Sequence, residues 1–151
     1  MTESKGIELL APARNLECGK EAILHGADAV YIGAACFGAR QAAGNSVEDI
    51  ALLAEFAHTY RAKVYVTVNT ILREEELADA RRLVWDLYDA GADAILVQDM
   101  ALLEMDLPPI ALHASTQADV RTPEKVRFLN NSSFNRRCSV LFSVIMNSTN
   151  S

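Results

Sequence analysis

The stretch Lys63–Val97, KVYVTVNTILREEELADARRLVWDLYDAGADAILV, decides the class of fold. It opens with Lys63-Val64-Tyr65-Val66-Thr67-Val68, a run dense in β-branched residues that reads as a strand. From about Glu74 to Ala90 the period changes, and Leu77, Ala80, Val84, Leu87 and Tyr88 share one helical face. Glu74, Glu75 and Glu76 stand in the first turn of that helix, where the dipole favours negative charge, and Gly91 ends it. Ala94-Ile95-Leu96-Val97 is a second, apolar strand. Strand, helix and strand in this length make a βαβ unit, the building block of a parallel sheet.

The same grammar extends in both directions. Upstream, Ile7–Leu10 reads as a first strand ending at Ala11-Pro12-Ala13, and Asn15 caps a helix running to His25, with Gly26 as its left-handed terminator. Ala29–Ile32 is a second strand, followed by a loop past Gly33, Gly38 and Gly44. Ser46 then caps a helix with Asp49 as its box partner, and Ile50, Leu53, Ala54, Ala57 and Tyr60 form the apolar face. Downstream come a short helix near Met100–Glu104, the break at Pro108-Pro109, a fifth strand at Ile110–His113, and a helix opened by Thr122-Pro123-Glu124. Gly26-Ala27-Asp28-Ala29 and Gly91-Ala92-Asp93-Ala94 repeat one helix-to-strand joint, as either a generic turn or an internal duplication.

Parallel strands in this number fit an open doubly wound sheet or part of a barrel. An open sheet usually has a Gly-rich phosphate loop after its first strand, and Ala11-Pro12-Ala13-Arg14 has no glycine. The expected fold is therefore α/β, the N-terminal portion of a parallel (β/α) TIM-type barrel, incomplete and spanning residues 6–129. From Asn130 onward the chain contains no Asp, Glu, Gly or Pro and is thick with Asn and Ser. Residues 130–151 are expected to be an atypical tail, disordered or out of frame. A strand at Val140–Met146 is the alternative.

Composition narrows the function classes. The net charge is −6, from 20 acids and 14 bases spread along most of the chain, which gives no basic stripe of the kind a general nucleic-acid-binding module carries. An enzyme that meets RNA through another part of its surface stays open. Met1–Lys5 carry no apolar signal core and no run approaches a membrane span, so the expectation is a cytoplasmic protein without a membrane partner. Cys18, Cys36 and Cys138 lack paired spacing, which fits reduced thiols and supplies no metal or cluster motif. Open sheet edges favour non-specific self-association.

In a parallel barrel the active site is built at the C-terminal ends of the strands. That rule selects Arg14 after the first strand, Arg40 after the second, Asn69 after the third, Gln98 and Asp99 after the fourth, and His113, Thr116 and Gln117 after the fifth. All are substrate-binding candidates, and His113 is also the candidate catalytic residue, with acid–base work and a structural role both open. Each of the others also serves as an ordinary partner for loop backbone groups. His25 and His58 lie on helices away from this end. No protease, esterase or phosphate-loop signature occurs, so the residues by themselves name no reaction.

At these strand ends the chain resembles the peptidase U32 family. The matching stretches are ELLAPAR (Glu8–Arg14), HGADAVYIG (His25–Gly33), FGAR (Phe37–Arg40), VTVNTIL (Val66–Leu72), VQDM (Val97–Met100) and HASTQ (His113–Gln117). Similarity runs from about Gly6 to Leu129, the first part of a normal member. Asp106–Ile110 and Arg121-Thr122 look most like the members linked to hydroxylation of 23S ribosomal RNA. The resemblance implies an RNA-hydroxylating enzyme with ribosomal RNA as partner. The alternatives are a collagenase-like peptidase and a non-functional fragment. It also implies an iron–sulfur cluster held by cysteines in a later part of the family's chain, and no cofactor within this one. Cys18, Cys36 and Cys138 do not match that signature, so the 151-residue chain is expected to be inactive alone.

Overall fold

The computed structural model describes residues 8–35 and 44–132. It contains strands β1 (Leu10–Ala13), β2 (Ala29–Gly33), β3 (Lys63–Val68), β4 (Ala94–Val97) and β5 (Ala111–Ala114). The helices are α1 (Leu16–Leu24), α2 (Val47–Thr59), α3 (Leu77–Asp89), α4 (Ala101–Glu104) and α5 (Pro123–Ser132), with 3-10 turns at Glu74–Glu76 and Thr116–Ala118. The strands form one five-stranded sheet in the order β1-β2-β3-β4-β5, and every neighbouring pair is parallel.

Sequential order separates the two expected architectures, because a doubly wound sheet reverses its strand order at a switch point and a barrel does not. The two faces of the sheet agree. Val30, Ile32, Val64, Val66, Val68, Ile95, Val97 and Leu112 pack with Ile23, Ile50, Leu53, Ala57, Ala80, Val84 and Leu87 of the helices. The other face gathers Ala29, Tyr65 and Ala94 with Leu10, Tyr31, Leu96 and Ala111, all of them strand residues. Helices on one face only, over a sheet in sequential order, is a segment of a (β/α) barrel.

The helix-to-strand joints share a mechanism. Gly26 and Gly91 adopt φ of 96° and 90°, and the next residue closes each helix with Ala27 N–H to Ala22 O and Ala92 N–H to Leu87 O, both 3.0 Å. The aspartate that follows then ties down the previous strand: Leu9 N–H donates to Asp28 Oδ2 at 2.7 Å, and Val64 N–H to Asp93 Oδ2 at 2.8 Å. A third joint of this shape, after α2, has Arg61 at φ 59° in place of glycine, with Ala62 N–H to Ala57 O at 3.0 Å.

Several boundaries differ from expectation. The first strand begins at Leu10 and includes Ala11-Pro12-Ala13, while Ile7 lies outside the described residues. Pro12 is tolerated because β1 has a neighbour on one side only among the described strands. The fifth strand is shifted by one residue, to Ala111–Ala114. Tyr60 and Tyr88, read as inward-facing, are 54% and 38% exposed; Tyr60 is the C-cap of α2 and its ring rests on Phe56. Helix α5 continues through Asn130 and Asn131 to Ser132, across the expected start of the tail. The rest of that tail, including Val140–Met146, lies outside the described residues.

Candidate functional site at the strand ends

Register sets out the inner face of the sheet in rows. Pro12, Tyr31, Tyr65, Ala94 and Ala111 form one row. Gly33, Thr67, Leu96 and His113 form the next, nearer the C-terminal ends. Ala94 and Ala111 lie beside Tyr65 in the first row and Gly33 stands at the head of the second, so the larger Tyr31, Tyr65, Leu96 and His113 have room on a concave surface. Gly33 leaves a gap that Thr67 borders, since a Cβ there would lie 3.5 Å from Thr67 Oγ1.

His113 is 5% exposed, with its ring edge-on to Tyr65 at 5.0 Å between centroids and 75° between planes. Burial lowers the His113 pKa from its ordinary value. Glu8 pulls it upward, and Lys63 adds to the lowering. The imidazole is therefore biased toward its neutral form, in which one ring nitrogen donates and the other accepts.

Above this row the strand ends are tied to one another. Asn69 Nδ2 donates to Ser115 Oγ at 3.2 Å, reaching from the end of β3 to the end of β5. Ser115 is buried and its Oγ also accepts from Gln117 N–H at 3.2 Å, which caps the turn at Thr116–Ala118. Asp99 accepts from Leu72 N–H at 2.8 Å and Ala101 N–H at 2.9 Å, and so fixes the loop after β3 to the start of α4. Gln98 is half-buried beside it, and Thr116 and Gln117 are exposed.

The strand-end residues thus divide. Asn69, Gln98, Asp99, His113, Thr116 and Gln117 all lie at the C-terminal side of β3, β4 and β5. Arg14 is exposed just after β1, at the same end of the sheet. Arg40 lies outside the described residues. Asp99 and Ser115 build loops, whereas His113 sits on the concave floor. Of the other histidines, His25 is exposed as the C-cap of α1, and His58 Nε2 meets Asp93 Oδ2 at 3.0 Å on the helical side.

Two features escaped the sequence reading. Asn45 is buried, and its amide donates to Arg14 O at 3.1 Å and Gly33 O at 3.0 Å, joining the ends of β1 and β2. Glu8, Lys63 and Tyr65 form a polar group lower on the concave face. Tyr65 Oη donates to Glu8 Oε1 at 2.8 Å and Lys63 Nζ to Glu8 Oε2 at 3.3 Å. Burial, then the bond to Glu8, raises the Tyr65 pKa well above the usual phenol value, so it stays protonated.

No set of three His, Cys, Asp or Glu side chains among the described residues is arranged to hold a metal. Cys18 is exposed on α1, and Cys36 and Cys138 lie outside the described residues. An iron–sulfur cluster therefore has no ligand set in the described part of the chain. No described helix is long and apolar enough to cross a membrane.

The architecture, a barrel segment with a polar rim, is one that enzymes use, and comparison with known proteins supplies the family. The sequence profile of Peptidase family U32 matches residues 14–139. The chain belongs to that family. It is 60% identical over 131 residues to the 23S rRNA 5-hydroxycytidine C2501 synthase of Escherichia coli strain K12, covering 87% of this chain and 20% of that protein. The tRNA hydroxylation protein P1 of Bacillus subtilis strain 168 is 40% identical over 83% of this chain and 31% of its own length. A collagenase of Porphyromonas gingivalis is 32% identical over 80% of this chain and 30% of its own. The chain therefore spans a third or less of each of these relatives. Among solved structures, the U32 peptidase Mk0906 matches with TM-score 0.62 and 14% identity, over 87% of this chain and 58% of that one. A phosphonopyruvate hydrolase matches with TM-score 0.60 and 18% identity, over 89% and 53%. These two likenesses confirm the barrel-type fold.

Proposed function

We propose that this chain supplies the first βα units of an RNA-hydroxylating enzyme's barrel, acting on a cytidine of ribosomal RNA. The observation that carries the reading is the 60% identity to the 23S rRNA 5-hydroxycytidine C2501 synthase. The concave face supports it: His113, Asn69, Gln98, Thr116 and Gln117 offer neutral donors and acceptors at one end of the sheet, suited to the edge of a nucleobase and carrying no charge of their own. Arg14 and Arg40 are the candidates for contacts to the phosphate backbone. Asp99 holds the loop that follows Asn69 against the start of α4. On this reading the protein works in the cytoplasm, where ribosomes are assembled.

The collagenase relative keeps a peptidase as the second reading. It lacks an activated nucleophile among the described residues. Ser115 Oγ is engaged by Asn69 and the Gln117 amide, and Cys18 is on a helix surface. The purified 151-residue chain is expected neither to cleave gelatin nor to hydroxylate RNA by itself. Gelatin cleavage that survives rigorous purification and disappears in His113→Ala would favour the peptidase. Transplanting the matched segment into the E. coli synthase and measuring 5-hydroxycytidine in 23S rRNA tests the first reading.

A further inference from the structure

The polar group low on the concave face has no part in the strand-end reading, yet it is joined to His113. Glu8 precedes β1, and its carboxylate nevertheless reaches two residues of β3, Lys63 and Tyr65. The residue of β2 in register with Lys63 is Ala29, fully buried, whose small side chain leaves that path open. Tyr65 in turn makes a T-shaped ring contact with His113. A buried phenol needs one hydrogen-bond partner. A carboxylate brought from beyond the neighbouring strand, itself paired with a lysine, is more than that need explains.

We propose that Lys63, Glu8 and Tyr65 are a positioning chain for His113, fixing its ring from below while the strand-end residues meet the substrate above. The inference rests on reading His113 as a substrate-contacting group, and it deepens that reading by naming what orients the ring. Among the described residues, the titratable groups that share this face with His113 are Glu8 ahead of β1, Tyr31 on β2, and Lys63 and Tyr65 on β3. The described neighbours on β4 are Ala94 and Leu96, which carry no charge. Burial is the largest influence on the ring's titration, and the charges that act on it beside that are one carboxylate, which raises it, and one ammonium, which lowers it.

The experiment is an NMR titration of the His113 ring in the full 151-residue chain labelled with 15N-histidine. Glu8→Gln is expected to move the midpoint to lower pH and Lys63→Met to move it higher. Tyr65→Phe keeps the ring but releases the carboxylate, so it should shift the midpoint in the direction of Glu8→Gln. Combining those two should add less than the sum of their effects. Should Glu8→Gln fail to fold, Lys63→Met decides alone, because that side chain is 54% exposed. Folded variants whose His113 signals keep the parent's midpoint and tautomer would overturn the proposal and leave the three residues as simple packing. The readout needs no enzymatic activity, so its failure is distinct from failure of the hydroxylase reading.

Discussion

Removing the carboxylate of Asp93 tests how the helix-to-strand joints hold the sheet. Asp93 Oδ2 accepts the backbone N–H of Val64 at 2.8 Å and faces His58 Nε2 at 3.0 Å. Val64 is fully buried, so Asp93→Ala leaves its amide without that acceptor in a place water reaches poorly. Such an orphaned group costs about 1–3 kcal/mol. The half-exposed pair with His58 adds about 0–1 kcal/mol. The expected loss is roughly 2–3 kcal/mol, a large part of a stability of about 5–15 kcal/mol. The equivalent change at Asp28 frees the N–H of Leu9, which is 57% exposed, and hydration should limit the loss to about 1 kcal/mol. Asp93→Asn keeps an acceptor oxygen and should fall between the two. Urea unfolding followed by fluorescence is suitable, because Trp85, the single tryptophan, lies on α3, the helix that this joint ends. Equal losses from Asp28→Ala and Asp93→Ala, or a neutral Asp93→Ala, would refute this role for the buried joint.

Other outcomes follow from neighbouring features. Arg61→Gly should stabilise the chain by about 0.5–1 kcal/mol, since relief of the left-handed backbone outweighs the entropy of glycine, and the same unfolding assay reads it. Gly19→Ala should destabilise despite its better helix propensity, by about 1 kcal/mol net, because the new Cβ would lie 2.7 Å from Leu53 Cδ1; adding Leu53→Val should recover part of the loss. His113 has a lowered pKa in the folded chain, so between that value and its ordinary 6.5 the unfolded chain binds more protons. Its contribution is complete above about pH 6.5 and declines as pH falls toward the folded value. Comparing the parent with His113→Gln across pH 4–8 should therefore show the parent losing its advantage on the acid side.

The elements that carry their own local signals were legible in the sequence. Asn15 caps α1 through Cys18 N–H at 2.9 Å, and Ser46 and Asp49 complete the expected capping box on α2. Gly26 and Gly91 mark their joints because only glycine adopts positive φ without strain. The third joint stayed hidden because Arg61 takes the strained conformation instead. β1 was misplaced because Ala11-Pro12-Ala13 has no β-forming side chains; pairing with β2 makes it a strand. The alternation in Lys63-Val64-Tyr65-Val66-Thr67-Val68 was the available clue to the concave face. Three valines meet the helices, while Tyr65 lies on the opposite face, with Lys63 and Thr67 at the same parity. What no local pattern could show is that Glu8 would reach across to that face, or that Asn45 would tie two strand ends, since both contacts join residues far apart in the chain.

The role proposed for the concave face of this barrel segment is RNA hydroxylation. Its most direct test replaces the matched segment of the E. coli synthase, the 131 aligned residues, with the corresponding residues of this chain in cells lacking the native enzyme. Mass spectrometry of the 23S rRNA fragment around C2501 then reports 5-hydroxycytidine. Modification is expected to persist in the chimera and in its His25→Ala control. It should fall by about tenfold or more in His113→Ala and Asn69→Ala, the effect of losing one well-placed hydrogen bond to the substrate. A folded, expressed chimera that leaves C2501 unmodified, or one that modifies it equally well without His113 and Asn69, would contradict the account.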